Sequence, residues 1–173
     1  MKAAAVQFAS PEQTGFVPYR FISDSTHCLQ LLQDYVEEEN IEGMFLFLDM
    51  EKAFDRVSWE FLLKGMKSLG FGNEYISLVR MMYDINCPPK RRIIINGQKG
   101  EYFPIKSGVA QGCPLSPLLF LVCAEVIIRL AKSRLQGIRI KGVSYQVSAF
   151  ADDTLLMIKG KKDLKKIPGD RKS

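Results

Sequence analysis

The sequence predicts an α+β fold, an antiparallel sheet covered by helices, on three observations. Met44 to Leu48 is a continuous apolar run of strand length ending at Asp49. Val143, Tyr145, Val147 and Ala149 alternate with polar residues ahead of a further strand, Thr154 to Ile158. The stretches between carry helix-spaced apolar residues with capping signals. With 173 residues, 47% of them hydrophobic and 25% charged, the chain lies in the range of an ordinary globular domain and can bury a core.

The stretch to Arg20 contains Pro11, Gly15 and Pro18 with little periodicity and reads as an irregular lead-in. Leu29, Leu32 and Val36 then recur at helical spacing behind the cap candidates Ser23-Asp24-Ser25, and Glu37-Glu38-Glu39-Asn40 closes that helix. The unbroken run Met44 to Leu48 predicts a strand buried on both faces, with a carboxylate at its carboxyl end. Ser58 caps a predicted helix from Trp59 to Leu69 that Gly70 ends, and Asn73 caps another reaching about Tyr83. Arg91 to Asn96 and Glu101 to Ile105 flank the turn-rich Asn96-Gly97-Gln98-Lys99-Gly100, a hairpin pattern. Ser116-Pro117 pairs a capping hydroxyl with proline at the first helical position, so a helix starts sharply and runs to about Lys132. Asp152-Asp153 falls at a tight hairpin tip. The polar, lysine-rich stretch from Lys159 to Ser173 reads as a fraying tail.

The balance of 24 Lys+Arg against 19 Asp+Glu gives +5 and a pI near 9.0, which favours a polyanionic partner without identifying one. Cys28, Cys87, Cys113 and Cys123 form no pair at zinc-ligand spacing, and His27 is the only histidine, so the cysteines read as reduced, packed thiols. With no secretory signal apparent, this points to an intracellular protein, nucleus and cytoplasm not distinguished. Pro117 to Leu130 is interrupted by Glu125 and Arg129 and is too short to span a bilayer, so it reads as a core helix and no membrane association is expected.

Two aspartates side by side at a hairpin tip repel each other unless cations neutralise them. For an isolated Asp-Asp pair, turn chemistry is the preferred explanation. Phosphoryl transfer needs a third carboxylate, so that two hard ions roughly 3.5 to 4 Å apart can stabilise the attacking and leaving oxygens. Asp49 is the available third acid.

Three motifs bear on the choice: Phe-Leu-Asp-Met-Glu-Lys-Ala-Phe-Asp at 47–55, Gln-Gly-Cys-Pro-Leu-Ser-Pro-Leu-Leu-Phe at 111–120 and Phe-Ala-Asp-Asp at 150–153. In order and separation they resemble motifs A, B and C of reverse transcriptases. Their wording, with Gln-Thr-Gly-Phe-Val-Pro-Tyr-Arg at 13–20, is similar to the LINE-type, non-long-terminal-repeat branch.

The resemblance implies a reverse-transcriptase palm, a ferredoxin-like antiparallel sheet with helices on one face. Residues 1–40 would be a remnant of the fingers and the first palm helix, 41–158 the palm, and 159–173 a basic tail, with no thumb. The implied activity is RNA-directed DNA polymerase: nucleotidyl transfer from a dNTP to the 3′-hydroxyl of a DNA primer on an RNA template. The implied cofactor is two Mg2+ ions, with Mn2+ an alternative. Asp49, Asp152 and Asp153 become catalytic metal ligands, and the Met50 carbonyl an additional oxygen ligand. Asp55 falls outside that set and reads as a capping acid in the turn before Ser58.

Phe54 matches the family's steric gate against a ribose 2′-hydroxyl; taken alone it is a core aromatic. Gly108, Gln111 and Gly112 match the loop that approaches the nascent base pair, where the Gln111 amide can bond the nucleotide; taken alone they are a glycine-rich loop before a helix. Arg20 matches the arginine that holds the triphosphate, its alternative being a solvated surface residue. The runs Lys90-Arg91-Arg92 and Lys161-Lys162 to Lys165-Lys166 fit a phosphate backbone or a solvated face.

The chain departs from the family at Tyr19, where glycine is usual, and at Ala110, where a basic residue is common. Set against that family, the expectation is that most of the fingers, the primer-gripping segment, the thumb and any endonuclease domain are absent. The rival expectation is therefore a catalytically inactive retrotransposon remnant that folds and binds nucleic acid weakly. A nucleotide cyclase, the third option, lacks a glycine-rich signature beside the acid pair. Oligomeric state is not legible.

Overall fold

A computed structural model describes residues 2–166. In chain order the elements are α1 (Lys2–Phe8), α2 (Ile22–Glu38), β1 (Met44–Leu48), α3 (Trp59–Ser68), α4 (Asn73–Met82), β2 (Lys90–Arg91), β3 (Ile94–Ile95), β4 (Gln98–Lys99), β5 (Phe103–Pro104), α5 (Ser116–Arg134), β6 (Ile138–Ile140), β7 (Val143–Tyr145), β8 (Val147–Phe150), β9 (Asp153–Ile158) and α6 (Gly160–Leu164). Among the described residues they fall into two units, one of the residues up to Glu51 with those from Ala124 on, the other of Lys52–Cys123.

The first unit is built on a three-stranded antiparallel sheet in the order β1-β9-β8. Its central strand, β9, is buried from Thr154 to Ile158, and successive side chains of a strand point to opposite faces, so both faces need cover. On one face Leu156 and Ile158 pack with Val147, Ala149 and Leu46 against Ile128, Ala131 and Leu135 at the carboxyl end of α5. On the other, Leu155, Met157 and Phe45 meet Leu29, Leu32 and Val36 of α2, joined by Ile138, Ile140 and Tyr145. Helices on one face only, as the sequence leads one to expect, is therefore corrected: an apolar run with no polar side cannot leave either face in water.

The expectation for β1 is also corrected. It ends at Leu48 as expected, yet it is the sheet's edge strand, and Met44, Phe47 and Leu48 are exposed. The strand buried on both faces is β9. Val143–Tyr145 leaves the expected alternating strand and pairs with β6, which the sequence pattern did not disclose.

Local signals hold with shifts. The α2 helix begins before its expected caps: Phe21 is the N-cap residue, and Asp24, inside the first turn, accepts the Phe21 N–H at 3.1 Å. It ends in a Schellman pattern, with Asn40 at φ +49° and Ile41 N–H donating to the Val36 carbonyl. The irregular lead-in holds a short helix, α1.

In the second unit, Ser58 caps α3 by accepting the Phe61 N–H, whereas Asn73 is the first residue of α4 and Gly72 its N-cap. The hairpin is two nested ladders, β2 with β5 and β3 with β4, closed by Asn96-Gly97 with φ of +48° and +81°, a type I′ turn. Ser116 Oγ does not cap α5; it donates to the Ala110 carbonyl at 2.6 Å and ties down the preceding loop. Two of the cysteines, Cys28 and Cys87, are exposed rather than packed; all four are free thiols. Among the described residues no helix is long and apolar enough to cross a membrane.

Residues from Lys159 do not simply fray. Asp163 of α6 is buried, and its carboxylate accepts the N–H groups of Gln136, Gly137 and Lys159 at 3.1 to 3.2 Å and the ammonium of Lys166. Ile167-Pro168-Gly169 and the rest of the expected tail lie outside the described residues.

Burial pushes the Asp163 carboxyl up, but the N–H donors of Gln136, Lys159 and Gly137 with Lys166 outweigh it and hold the group below its ordinary 3.8. A lowered folded pKa means that its stabilisation is present above 3.8 and is lost as pH falls through the folded value. Asp163→Ala leaves the Gln136 and Gly137 donors without that acceptor, and thermal melting at pH 7 should show a loss of about 1–3 kcal/mol that narrows in strong acid.

Candidate active site

The first unit gathers the acidic residues. The β1–β9 ladder pairs Leu48 with Thr154, so Asp49, one residue beyond β1, comes opposite Asp153, the first residue of β9. Asp153 pairs on its other side with Phe150 of β8. Asp49 and Asp153 are exposed and line one open cavity with Ile22, Thr26, Phe47 and Leu155. Asp152 is half-buried in the turn between β8 and β9. That turn is Ala151-Asp152, with Ala151 held at φ +56°, so Asp153 belongs to the strand rather than to the tip. Met50 is half-buried, and with Leu48 it lines an apolar cavity floored by Ile127, Leu130 and Leu156.

Carboxylate oxygens are the hard donors that Mg2+ takes, and Mg2+ is commonly held by one or two carboxylates, with water and substrate phosphates completing its shell. Asp49 and Asp153 meet that requirement. Among the described residues, however, no three His, Cys, Asp or Glu side chains gather closely enough to hold an ion as a ready-made cage.

The segment before α2 packs beside the acid pair. Glu12 to Thr14 runs along β8: Ala149 N–H donates to the Glu12 carbonyl at 2.8 Å, and Thr14 N–H to the Ala149 carbonyl at 2.9 Å. Arg20 is half-buried, and its guanidinium donates to the carbonyls of Ser10, Gln13 and Ala9 at 2.5 to 3.3 Å. Ser10 in turn gives its N–H and hydroxyl to the fully buried Glu125 carboxylate, which also accepts from Arg129 Nε at 2.6 Å. Glu125 and Arg129 register in the sequence only as interruptions of an apolar helix; their spacing of four along one helix face was the available signal.

Phe54, Gly108, Gln111 and Gly112 lie in the second unit. Phe54 is half-buried and stacks on Phe120, ring centroids 5.0 Å apart, while its carbonyl accepts the Val109 N–H. Gly108 sits at φ +87°, where a Cβ would come within 2.7 Å of the Asp55 carbonyl oxygen, and its own carbonyl accepts Trp59 Nε1. Packing alone thus accounts for that glycine. Gly112, at φ +81°, would have open space around a Cβ, and Gln111 is exposed beside it. Ala110 donates its N–H to the Tyr83 hydroxyl. Asp55 lies in the turn before Ser58, with its N–H on Lys52 and its carbonyl on Ser107. Of the basic runs, Lys90-Arg91 is exposed on β2 and Arg92 lies 4.9 Å over the Tyr102 ring, whereas Lys166 is engaged with Asp163 and the Arg134 carbonyl.

Comparison with known proteins bears on the family and the fold. The family model described as reverse transcriptase (RNA-dependent DNA polymerase) matches residues 1–170. The uncharacterized 149 kDa protein of transposon TX1 from Xenopus laevis is 31% identical over 96% of the chain. A Pol polyprotein from the type-1 retrotransposable element R2 of Popillia japonica is 29% identical over 73% of it. The chain spans 13% and 21% of the lengths of those two relatives. Among solved structures, a telomerase from Candida tropicalis in complex with a fragment of telomeric RNA superposes over 95% of the chain and 28% of its own, with a TM-score of 0.63 at 13% identity, a likeness of fold alone.

The departure at Tyr19 has a backbone cost. Its φ is +64° and its side chain is 93% exposed, so the ring gains little from packing while the residue sits where Cβ is crowded. Tyr19→Gly should therefore raise stability by about 1 kcal/mol in denaturant melting; a loss of stability would mean that the ring's contacts outweigh the strain.

Proposed function

The chain belongs to the reverse transcriptase (RNA-dependent DNA polymerase) family, among LINE-type and R2 non-long-terminal-repeat retrotransposon proteins, and on that premise we propose that it carries the palm of an RNA-directed DNA polymerase. The observation that carries this reading is the β1–β9 register, which brings Asp49 across from Asp153 beside the Asp152 turn. In the reaction a primer 3′-oxygen bonds to the α-phosphorus of a dNTP, the bond between that phosphorus and the β-phosphate oxygen breaks, and pyrophosphate leaves. Two divalent ions, when bound, neutralise phosphate charge and make the primer hydroxyl more acidic.

Asp49, Asp152 and Asp153 are the residues that would hold those ions through carboxylate oxygens, with the Met50 carbonyl as a further oxygen donor. Phe54 selects deoxyribose by bulk. Gly112, at a positive φ with free space around it, lets the backbone carrying Gln111 approach a base pair. Gly108 supports that loop from within by its packing on Asp55. Arg20, already bonded to three carbonyls, orders the 9–20 segment and has guanidinium N–H groups beyond those bonds for a triphosphate. RNA template and DNA primer are the expected partners, with exposed Lys90 and Arg91 available to phosphates.

A second reading, a folded but inactive remnant, is favoured by one observation: among the described residues no three acidic, histidine or cysteine side chains gather closely enough to hold an ion. Primer extension on an RNA template with Mg2+ separates the two. Asp152→Asn removes a ligand worth several kcal/mol of transition-state stabilisation, so extension should fall roughly 100-fold or more; equal product from both chains means a remnant. In an active chain, Phe54→Val should raise incorporation of ribonucleotides relative to deoxynucleotides on the order of tenfold. Unchanged sugar selectivity would contradict the gate.

A further inference from the structure

We infer that Gln13 is a positioning residue for the turn that presents Asp152. Gln13 is fully buried, and its Oε1 accepts two backbone N–H groups, that of Gly15 at 2.8 Å and that of Ala151 at 3.0 Å. Ala151 is the residue immediately before Asp152, and its φ of +56° is a conformation that disfavours a residue with a side chain. The Gln13 carboxamide gives this turn a hold on its backbone from 138 positions away in sequence.

Three further features belong to the same brace. The flanking residues Glu12 and Thr14 are bonded to both backbone groups of Ala149, which keeps Gln13 level with the end of β8. Gly15 lies so close to Ala151 that a Cβ would fall 2.8 Å from the Ala151 Cα, and nearer still to its nitrogen, so only glycine fits. The Gln13 Nε2 is buried and has no partner among the described residues. An unpaired buried amide donor carries an uncompensated desolvation cost. A leucine of similar size would avoid that cost but could not accept either N–H. The two acceptor bonds at Oε1 are what glutamine supplies here.

The inference rests on the polymerase reading for the purpose of the brace, but its effect is written in the backbone and in metal response, which are measured apart from activity. In the unaltered chain, amide hydrogen exchange should find Ala151 N–H protected despite its place in a tight turn; a freely exchanging Ala151 amide overturns the inference without any variant. Gln13→Leu should then speed Ala151 exchange at least tenfold while Leu156, in the central strand, keeps its protection. The Mn2+ concentration that half-broadens the amide signals of Asp152 and Asp153 should rise several-fold, and the Mg2+ needed for half-maximal primer extension should rise with it. Uniformly faster exchange with an unchanged Mn2+ response would reduce Gln13 to a packing residue and overturn the proposal. Should Gln13→Leu fail to fold, Gln13→Asn, whose carboxamide is one methylene shorter, takes the same measurements. Failure of the polymerase reading appears separately, as equal extension by the unaltered chain and Asp152→Asn, with the exchange results still standing or falling by themselves.

Discussion

The antiparallel ladder between β1 and β9 is the constraint on which the site depends. Leu46 packs with Leu156 and Ile158 on the α5 side, and Phe45 with Leu155 and Met157 on the α2 side. A slip of one residue would exchange those two sets, sending Leu46 to the cluster that holds Phe45 and the reverse. Burying apolar surface on both faces of β9 therefore fixes the register, and the register fixes which residue of β9 faces Asp49. No specific contact between the acids is needed to bring them to the same edge; the core does it at a distance.

The conformations around that edge are stored backbone strain held by hydrogen bonds. Ala151, Tyr19 and Phe16 all carry positive φ without being glycine. The 9–20 segment accordingly has a dense set of ties: Arg20 to three carbonyls, Ser10 to Glu125, Gln13 to Gly15 and Ala151. Strained residues persist where surrounding structure over-determines them. Of the first unit's buried polar residues, Gln13, Thr14 and Glu125 serve this segment, while Thr154 lies in β9 and Asp163 in α6.

What was legible in the sequence was local. Met44–Leu48, Thr154–Ile158, the Ser58 cap, the Asn96-Gly97 turn and the start of α5 each announce themselves through spacing or turn chemistry over a few residues. The exposure of β1 was not legible, because an edge strand and a central one differ in their neighbours rather than in their own apolar run. Cover on both faces was missed for the same reason, although the unbroken Leu155–Ile158 run held the clue. The α6 helix depends on N–H groups of Gln136 and Gly137 far from Asp163 in sequence, and Gln13 on a partner still farther away. The motif order disclosed the family and nominated the aspartates. It did not say that Asp153 would stand in the strand and share a cavity with Asp49 while Asp152 occupied the turn.

In the proposed reading Asp49, just beyond β1, and Asp153, at the start of β9, share divalent cations. The most direct measurement of this is the melting temperature as a function of MgCl2 for the unaltered chain, Asp49→Asn, Asp153→Asn and the double variant. A ligand bound only by the folded state raises stability with its concentration. The account predicts a Mg2+-dependent rise in the unaltered chain that either single substitution removes, with no further loss in the double variant. A flat titration of the unaltered chain, or equal rises in all four proteins, would contradict it.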